Sequence, residues 1–137
     1  QPTLVFMHHP PFEIGIAVMD EMGLEGREAF AETIRRHPQV ERVVCGHVHR
    51  SITRRFAGTV ATSCPSTAYQ LVGDLVPARR LAVVMQAPAC LLHLWLGDEG
   101  GLVSHVSAIG DPAPEFTVYE TDRWLPDAEP PPGFLTR

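Results

Sequence analysis

Two apolar runs in this chain each end in histidines, and that repetition constrains the fold more than any other feature. The run Val40-Glu41-Arg42-Val43-Val44-Cys45 leads straight into Gly46-His47-Val48-His49. Its length and β-branched content predict a buried strand. A G-H-x-H at a strand end sets two imidazoles beside each other on a turn that Gly46 permits. Neutral imidazole is the commonest side-chain ligand for borderline metals. Thr3-Leu4-Val5-Phe6 leads in the same way into Met7-His8-His9-Pro10-Pro11. Two strand ends that both deliver histidine predict one metal centre above a sheet edge.

The rest of the chain is compatible with such a sheet. Its 137 residues suit a single domain, and 45% hydrophobic against 20% charged residues is ordinary for a globular protein. A formal net charge of −5 argues against general nucleic-acid binding, which needs a basic surface. It leaves room for a small phosphate ester held by metal ions. No run approaches the ~18 apolar residues of a membrane span. Nothing at the N-terminus reads as a signal peptide. Cys45, Cys64 and Cys90 are odd in number and widely spaced, which is not a disulfide framework. Cys45 and Cys90 read as small buried thiols. A reducing, cytoplasmic setting with no membrane partner is the expectation.

Two absences narrow the chemistry. The chain has no lysine and no asparagine, and its eleven Lys-or-Arg positions are all arginine. Schiff-base chemistry, a P-loop lysine and a lysine general base are excluded. An asparagine ligand is excluded too.

Along the chain, Thr3 to Met7 predicts a strand stopped by Pro10-Pro11. Phe12 to Leu24 mixes Gly, Met and acidic residues and reads as a loop. Glu25 to His37 has helix composition, with Ala29, Phe30 and Ile34 on one face, and Pro38 ends it. Strand, helix, strand is an α/β signature. Ser51 to Phe56 and Thr59 to Thr62 predict short strands around Ala57-Gly58. Leu71 to Val84 is ambiguous. Cys90 to Leu96 and Leu102 to Ile109 predict a hairpin around residues 97–101. Beyond Asp111 prolines dominate, and Phe116, Tyr119 and Trp124 are the residues there suited to packing.

Not every histidine needs a metal. His37, in the last predicted helical turn, complements the helix dipole. His93 and His105 alternate with apolar residues and are expected on the polar face of the hairpin. His47 and His49 have no such role. His8 and His9 are adjacent, so in extended chain they point opposite ways, and one of them is the expected ligand.

Taken together, Phe6-Met7-His8-His9-Pro10-Pro11, the helix ending at His37-Pro38, and Cys45-Gly46-His47-Val48-His49 resemble the calcineurin-like metallophosphoesterases. The branch they resemble is the class III cyclic-nucleotide and glycerophosphodiester phosphodiesterases. Weaker similarity continues through Pro88 to His93. The resemblance implies an α/β fold, the C-terminal half of a four-layer αββα sandwich, over residues 1–110, with a C-terminal β-hairpin. It implies a candidate dimerisation segment at 63–96 and leaves 111–137 as a proline-rich tail. It implies two divalent or trivalent metal ions, manganese, iron, zinc or cobalt, in the complete protein. By motif, His8 and His47 bind one ion and His49 the other. His9 resembles a neighbour that orients the site without ligating. The loop after H-x-P, with Phe12, Met19 and Met22, is implied to meet the part of a small phosphodiester beyond its phosphate.

The family motifs D-x-H, G-D and G-N-H-[DE] do not precede these elements. With them go the carboxylates, the asparagine ligand and the histidine that protonates the leaving group, so no catalytic acid is assigned within this chain. Two expectations follow. The chain is part of a two-metal phosphodiesterase, inactive alone and self-associating as a homodimer or higher oligomer. Alternatively, it is a non-catalytic fragment acting as a metal-binding or oligomerisation module.

Overall fold

The computed structural model describes residues 1–75 and 80–110, and the backbone of 119–120 and 123–124. The helix α2, Arg27–Arg35, forms where the sequence places Glu28 in the first turn and Arg35 in the last, each opposing the helix dipole. Ala31 and Ile34 are its buried residues, one turn apart on one face. Gly26 enters the helix at φ +74°, a left-handed conformation suited to glycine. The helix stops at Arg35, so His37 lies just past its end, donating its backbone N–H to Ile34.

That apolar face covers a four-stranded sheet of β1 (Thr3–Met7), β2 (Val40–Cys45), β3 (Ile52–Phe56) and β4 (Thr59–Ser63). The strand order is β1-β2-β4-β3, with β1, β2 and β4 parallel and β3 antiparallel to β4. The sheet with its helices is mixed α/β, as predicted. Strand alternation brings Val43 and Ala61, both fully buried, and Cys45 to the helix side. Val5, Met7, Phe12, Phe30 and Ile34 complete that core. β2 and β4 are interior strands, and β1 and β3 are the two edges of this sheet. Ala57 and Gly58, at φ +49° and +95°, make the β3–β4 turn with positive φ at both central positions, the geometry that matches strand twist.

The segment read as a loop, Phe12 to Leu24, contains a short helix α1, Ala17–Glu21. Periodicity misses it because one carboxylate organises it. Asp20 accepts backbone N–H bonds from Ile14 at 2.7 Å and Gly15 at 2.9 Å. Ile16 and Met19 then join Val48 and Leu71 in a second small core.

The opposite face of the sheet meets the hairpin. Its strands β7 (Ala89–Trp95) and β8 (Leu102–Ala108) flank the one-turn helix α3, Gly97–Gly100; between β4 and β7 lie β5 (Gln70–Leu71) and β6 (Val83–Val84), a short antiparallel pair. Arg42 Nη1 donates to Ser104 Oγ at 2.6 Å, and the Phe6 ring meets His93 edge-on at 6.4 Å. Register pairs His93 with Ser104 and Leu92 with His105. The two histidines therefore occupy opposite faces of the hairpin, not one polar face. His93 is half-buried and bonded to Ser104, and His105 is exposed. The reading of 111–137 as a tail lies outside the described residues, apart from the paired backbones of β9 (Tyr119–Glu120) and β10 (Arg123–Trp124).

Candidate metal centre

Parallel pairing of β1 with β2 ends at Met7 opposite Cys45. His8 and Gly46 therefore leave the sheet side by side, and Gly46 donates its backbone N–H to the His8 carbonyl at 3.0 Å. The strand stops before the histidines, and the chain bends through His8-His9. Both rings can then face one place, which an extended strand forbids. His8 and His47 lie 5.0 Å apart between ring centroids, and His8 and His9 5.1 Å. His9 and His47 stack at 4.1 Å with planes 19° apart. One ring nitrogen from each of His8, His9 and His47 falls within 4.8 Å of the others.

The turn is strained at the histidines themselves. His47 and His49 both have positive φ, +66° and +47°, a region sparsely used by non-glycine residues, histidine being among the more tolerant. Gly46 does not adopt positive φ, and a Cβ there would meet His8 Nδ1 at an ordinary 3.7 Å. Such strain costs about 1–3 kcal/mol per residue and gathers at functional sites.

Hydrogen bonds set the tautomers. Carbonyl oxygens only accept, so His9 Nδ1–H donates to the Met22 carbonyl at 3.0 Å, and His49 Nδ1–H donates to Tyr69 at 3.0 Å. Each leaves Nε2 with a lone pair, the arrangement that metal-ligating histidines adopt. Burial, then the neighbouring His9, His8 and His49, hold the His47 pKa below its ordinary value, so its ring stays neutral. His47 Nε2 is buried with no hydrogen-bond partner among the described residues. A buried nitrogen without a partner is costly, and a metal ion would satisfy it.

The residues present fit one borderline ion. Three imidazoles converging on one point are a donor set of the catalytic zinc kind. No carboxylate joins the three histidines among the described residues, so this chain alone does not fit a carboxylate-bridged pair of ions. The structure thus brings His8 and His47 together with His9. His49 lies beside them on the same turn, outside the group, its ring against Tyr69.

The loop residues divide. Phe12 and Met19 sit in the two cores, at 6% and 5% exposure, while Met22 is 43% exposed. Of the three, only Met22 presents its side chain to solvent, and its carbonyl anchors His9.

No family model matches the chain. Curated relatives do. A probable glycerophosphodiester phosphodiesterase, GpdQ, of Arcobacter nitrofigilis is 39% identical over 109 residues, which is 79% of this chain and 40% of that protein. The GpdQ glycerophosphodiester phosphodiesterase of Enterobacter lignolyticus is 32% identical over 72% of the chain and 35% of its own length. The 3',5'-cyclic adenosine monophosphate phosphodiesterase CpdA of Vibrio vulnificus is 38% identical over 50% of the chain and 25% of its own length. The chain is a homologue of bacterial phosphodiesterases. Its likeness is to the GpdQ and CpdA type in particular, and it spans 40% or less of the length of these three relatives.

Proposed function

We propose that the complete protein is a metal-dependent phosphodiester hydrolase to which this chain contributes the histidines of the H-x-P and G-H-x-H elements. The observation that carries the reading is the convergence of His8, His9 and His47 at the ends of adjacent parallel strands, with His47 Nε2 buried and unsatisfied. His8 and His47 hold one ion. His49 serves a second ion once carboxylates from outside this chain are in place. Bound divalent ions supply water activation and charge neutralisation at the phosphoryl group. This chain's residues position and exclude: burial keeps His47 neutral, the Met22 carbonyl orients His9, and the 12–24 loop walls the site. Met22, exposed and bonded through its carbonyl to His9, is our candidate for contact with the substrate beyond its phosphate. The names of the relatives support a 3',5'-cyclic nucleotide or a glycerophosphodiester as substrate. Homodimerisation through 63–96 and a cytoplasmic location belong to the same reading. Among the described residues no helix is long and apolar enough to cross a membrane.

The absence of a carboxylate from the histidine group among the described residues favours a second reading for the isolated chain, a metal-binding or oligomerisation module without turnover. Both are tested with a chromogenic phosphodiester and Mn²⁺. The chain joined to a segment carrying the missing motifs is expected to turn over, and His47→Ala or His49→Ala to cut turnover by orders of magnitude with the fold intact by circular dichroism. Near-normal activity in either variant overturns the ligand assignment. Turnover by the isolated chain overturns its inactivity.

A further inference from the structure

The chain is acidic overall at −5, yet four of its arginines line one cavity away from the histidines. This cavity, about 360 Å³, lies between α2 and the open edge strand β3. Arg27 and Arg35 reach it from the helix, Arg54 and Arg55 from the strand, and Phe56 forms part of its wall. Arg27 has an ion pair with Glu13 at 3.7 Å, and Arg35 one with Glu32 at 3.0 Å. Arg54 and Arg55 have no acidic partner among the described residues. Arg54 pairs with Ala61 in register, so it shares the helix-facing side of the sheet with Ile52 and Phe56. Arg55, paired with Val60, alternates to the other side of this edge strand and still borders the cavity.

We propose that this cavity is an anion site for a small phosphate monoester, separate from the histidine cluster. Guanidinium groups present planar forks that match phosphate oxygens. A monoester at neutral pH carries close to two charges, enough to engage the two unpaired arginines without displacing Glu13 or Glu32. The cavity volume suits a phosphate with an organic group attached, within the range of small-molecule sites. The partly buried Phe56, stacked on Phe30 at 5.8 Å, offers that group an apolar wall. A diester carries one charge and binds less well. The site does not rest on the hydrolase reading.

The test is calorimetric titration of adenosine 5′-monophosphate into the full chain stripped of metal. Saturable binding is expected, weakened by added salt as charge contacts are. Removing two charge-assisted contacts in Arg54→Gln/Arg55→Gln is expected to weaken it by about tenfold or more. His47→Ala is expected to leave it unchanged. Cyclic AMP, the monoanion of the same nucleoside, is expected to bind several-fold more weakly. No saturable binding overturns the proposal. So does unchanged binding in the double arginine variant, which would leave those arginines as charges that keep an edge strand from pairing. Loss of binding in His47→Ala would move the anion to the histidines and equally overturn it. Circular dichroism excludes unfolding of the double variant, and Arg54→Lys/Arg55→Lys, which keeps the charge, is expected to retain part of the affinity.

Discussion

The β1-β2-β4-β3 sheet under α2 and the β7–β8 hairpin are both made of strands rich in apolar residues, but they bury them very differently. In the sheet, Val43 and Ala61 are at 0% exposure and Cys45 at 2%. In the hairpin, Leu92, Leu94 and Val106 are 51%, 44% and 58% exposed. The sheet has a helix on one face and finishes its own core. The hairpin touches the sheet through Arg42–Ser104 and Phe6–His93 and leaves apolar side chains on both of its own faces. Contiguous exposed apolar surface marks a place where something else packs. Site precision and self-sufficiency go together here: the histidines are delivered by the part of the chain that is packed.

Truncating one apolar residue in each region, the buried Val43 and the exposed Leu92, separates the two most strongly. Val43→Ala is expected to destabilise the chain by about 2 kcal/mol, a transfer and cavity cost at a fully buried site. Leu92→Ala is expected to change stability by less than about 0.5 kcal/mol, as exposed positions do. Chemical denaturation of both variants checks this, and equal losses would erase the distinction.

Next is the solution state. The exposed faces of the hairpin are expected to be covered by a second copy, so Leu92→Glu/Leu94→Glu, two changes on one face, is expected to convert a dimer to a monomer by light scattering. A wild-type chain that stays monomeric at high concentration would show the hairpin to need another partner.

A smaller effect is expected at Asp20. Its carboxylate takes two backbone N–H bonds, so Asp20→Ala is expected to cost about 1–2 kcal/mol. It is also expected to loosen the loop whose Met22 carbonyl holds His9, which hydrogen exchange over residues 12–24 would show. Unchanged exchange would mean the two small cores hold the loop without it.

The smallest concerns acid. Burial first, and then the Arg42 guanidinium, hold His93 below its ordinary pKa. The unfolded chain, with histidine near about 6.5, then binds the proton more readily than the folded one. The contribution is complete above the unfolded value and is lost as pH falls through the interval below it. Thermal melting of wild type against His93→Gln between neutral and mildly acidic pH isolates it. A steeper acid loss in the variant than in wild type would contradict the sign.

Much of this arrangement was legible from the residues. β1, α2 and β2 follow from composition, apolar periodicity and Pro38, and the hairpin from two apolar runs about a glycine-rich turn. What stayed hidden depends on contacts across the chain. α1 is ordered by one carboxylate and not by a repeat. The opposite faces of His93 and His105 are set by register. His9 joins His8 and His47 because the strand stops one residue before them, and the left-handed backbone falls on His47 and His49 and not on Gly46. By motif His49 binds a second ion apart from His8 and His47, and in this chain its ring lies outside the group that His8 and His47 form with His9.

That difference decides which measurement bears most directly on the site. Co²⁺ titration of the isolated chain, followed by its visible absorption, is predicted to show one weakly bound ion per chain. His47→Ala is predicted to abolish it and His8→Ala and His9→Ala to weaken it, with His49→Ala leaving it unchanged because no carboxylate for a second ion joins the group among the described residues. Loss of the ion in His49→Ala, with no effect in His9→Ala, would contradict the account.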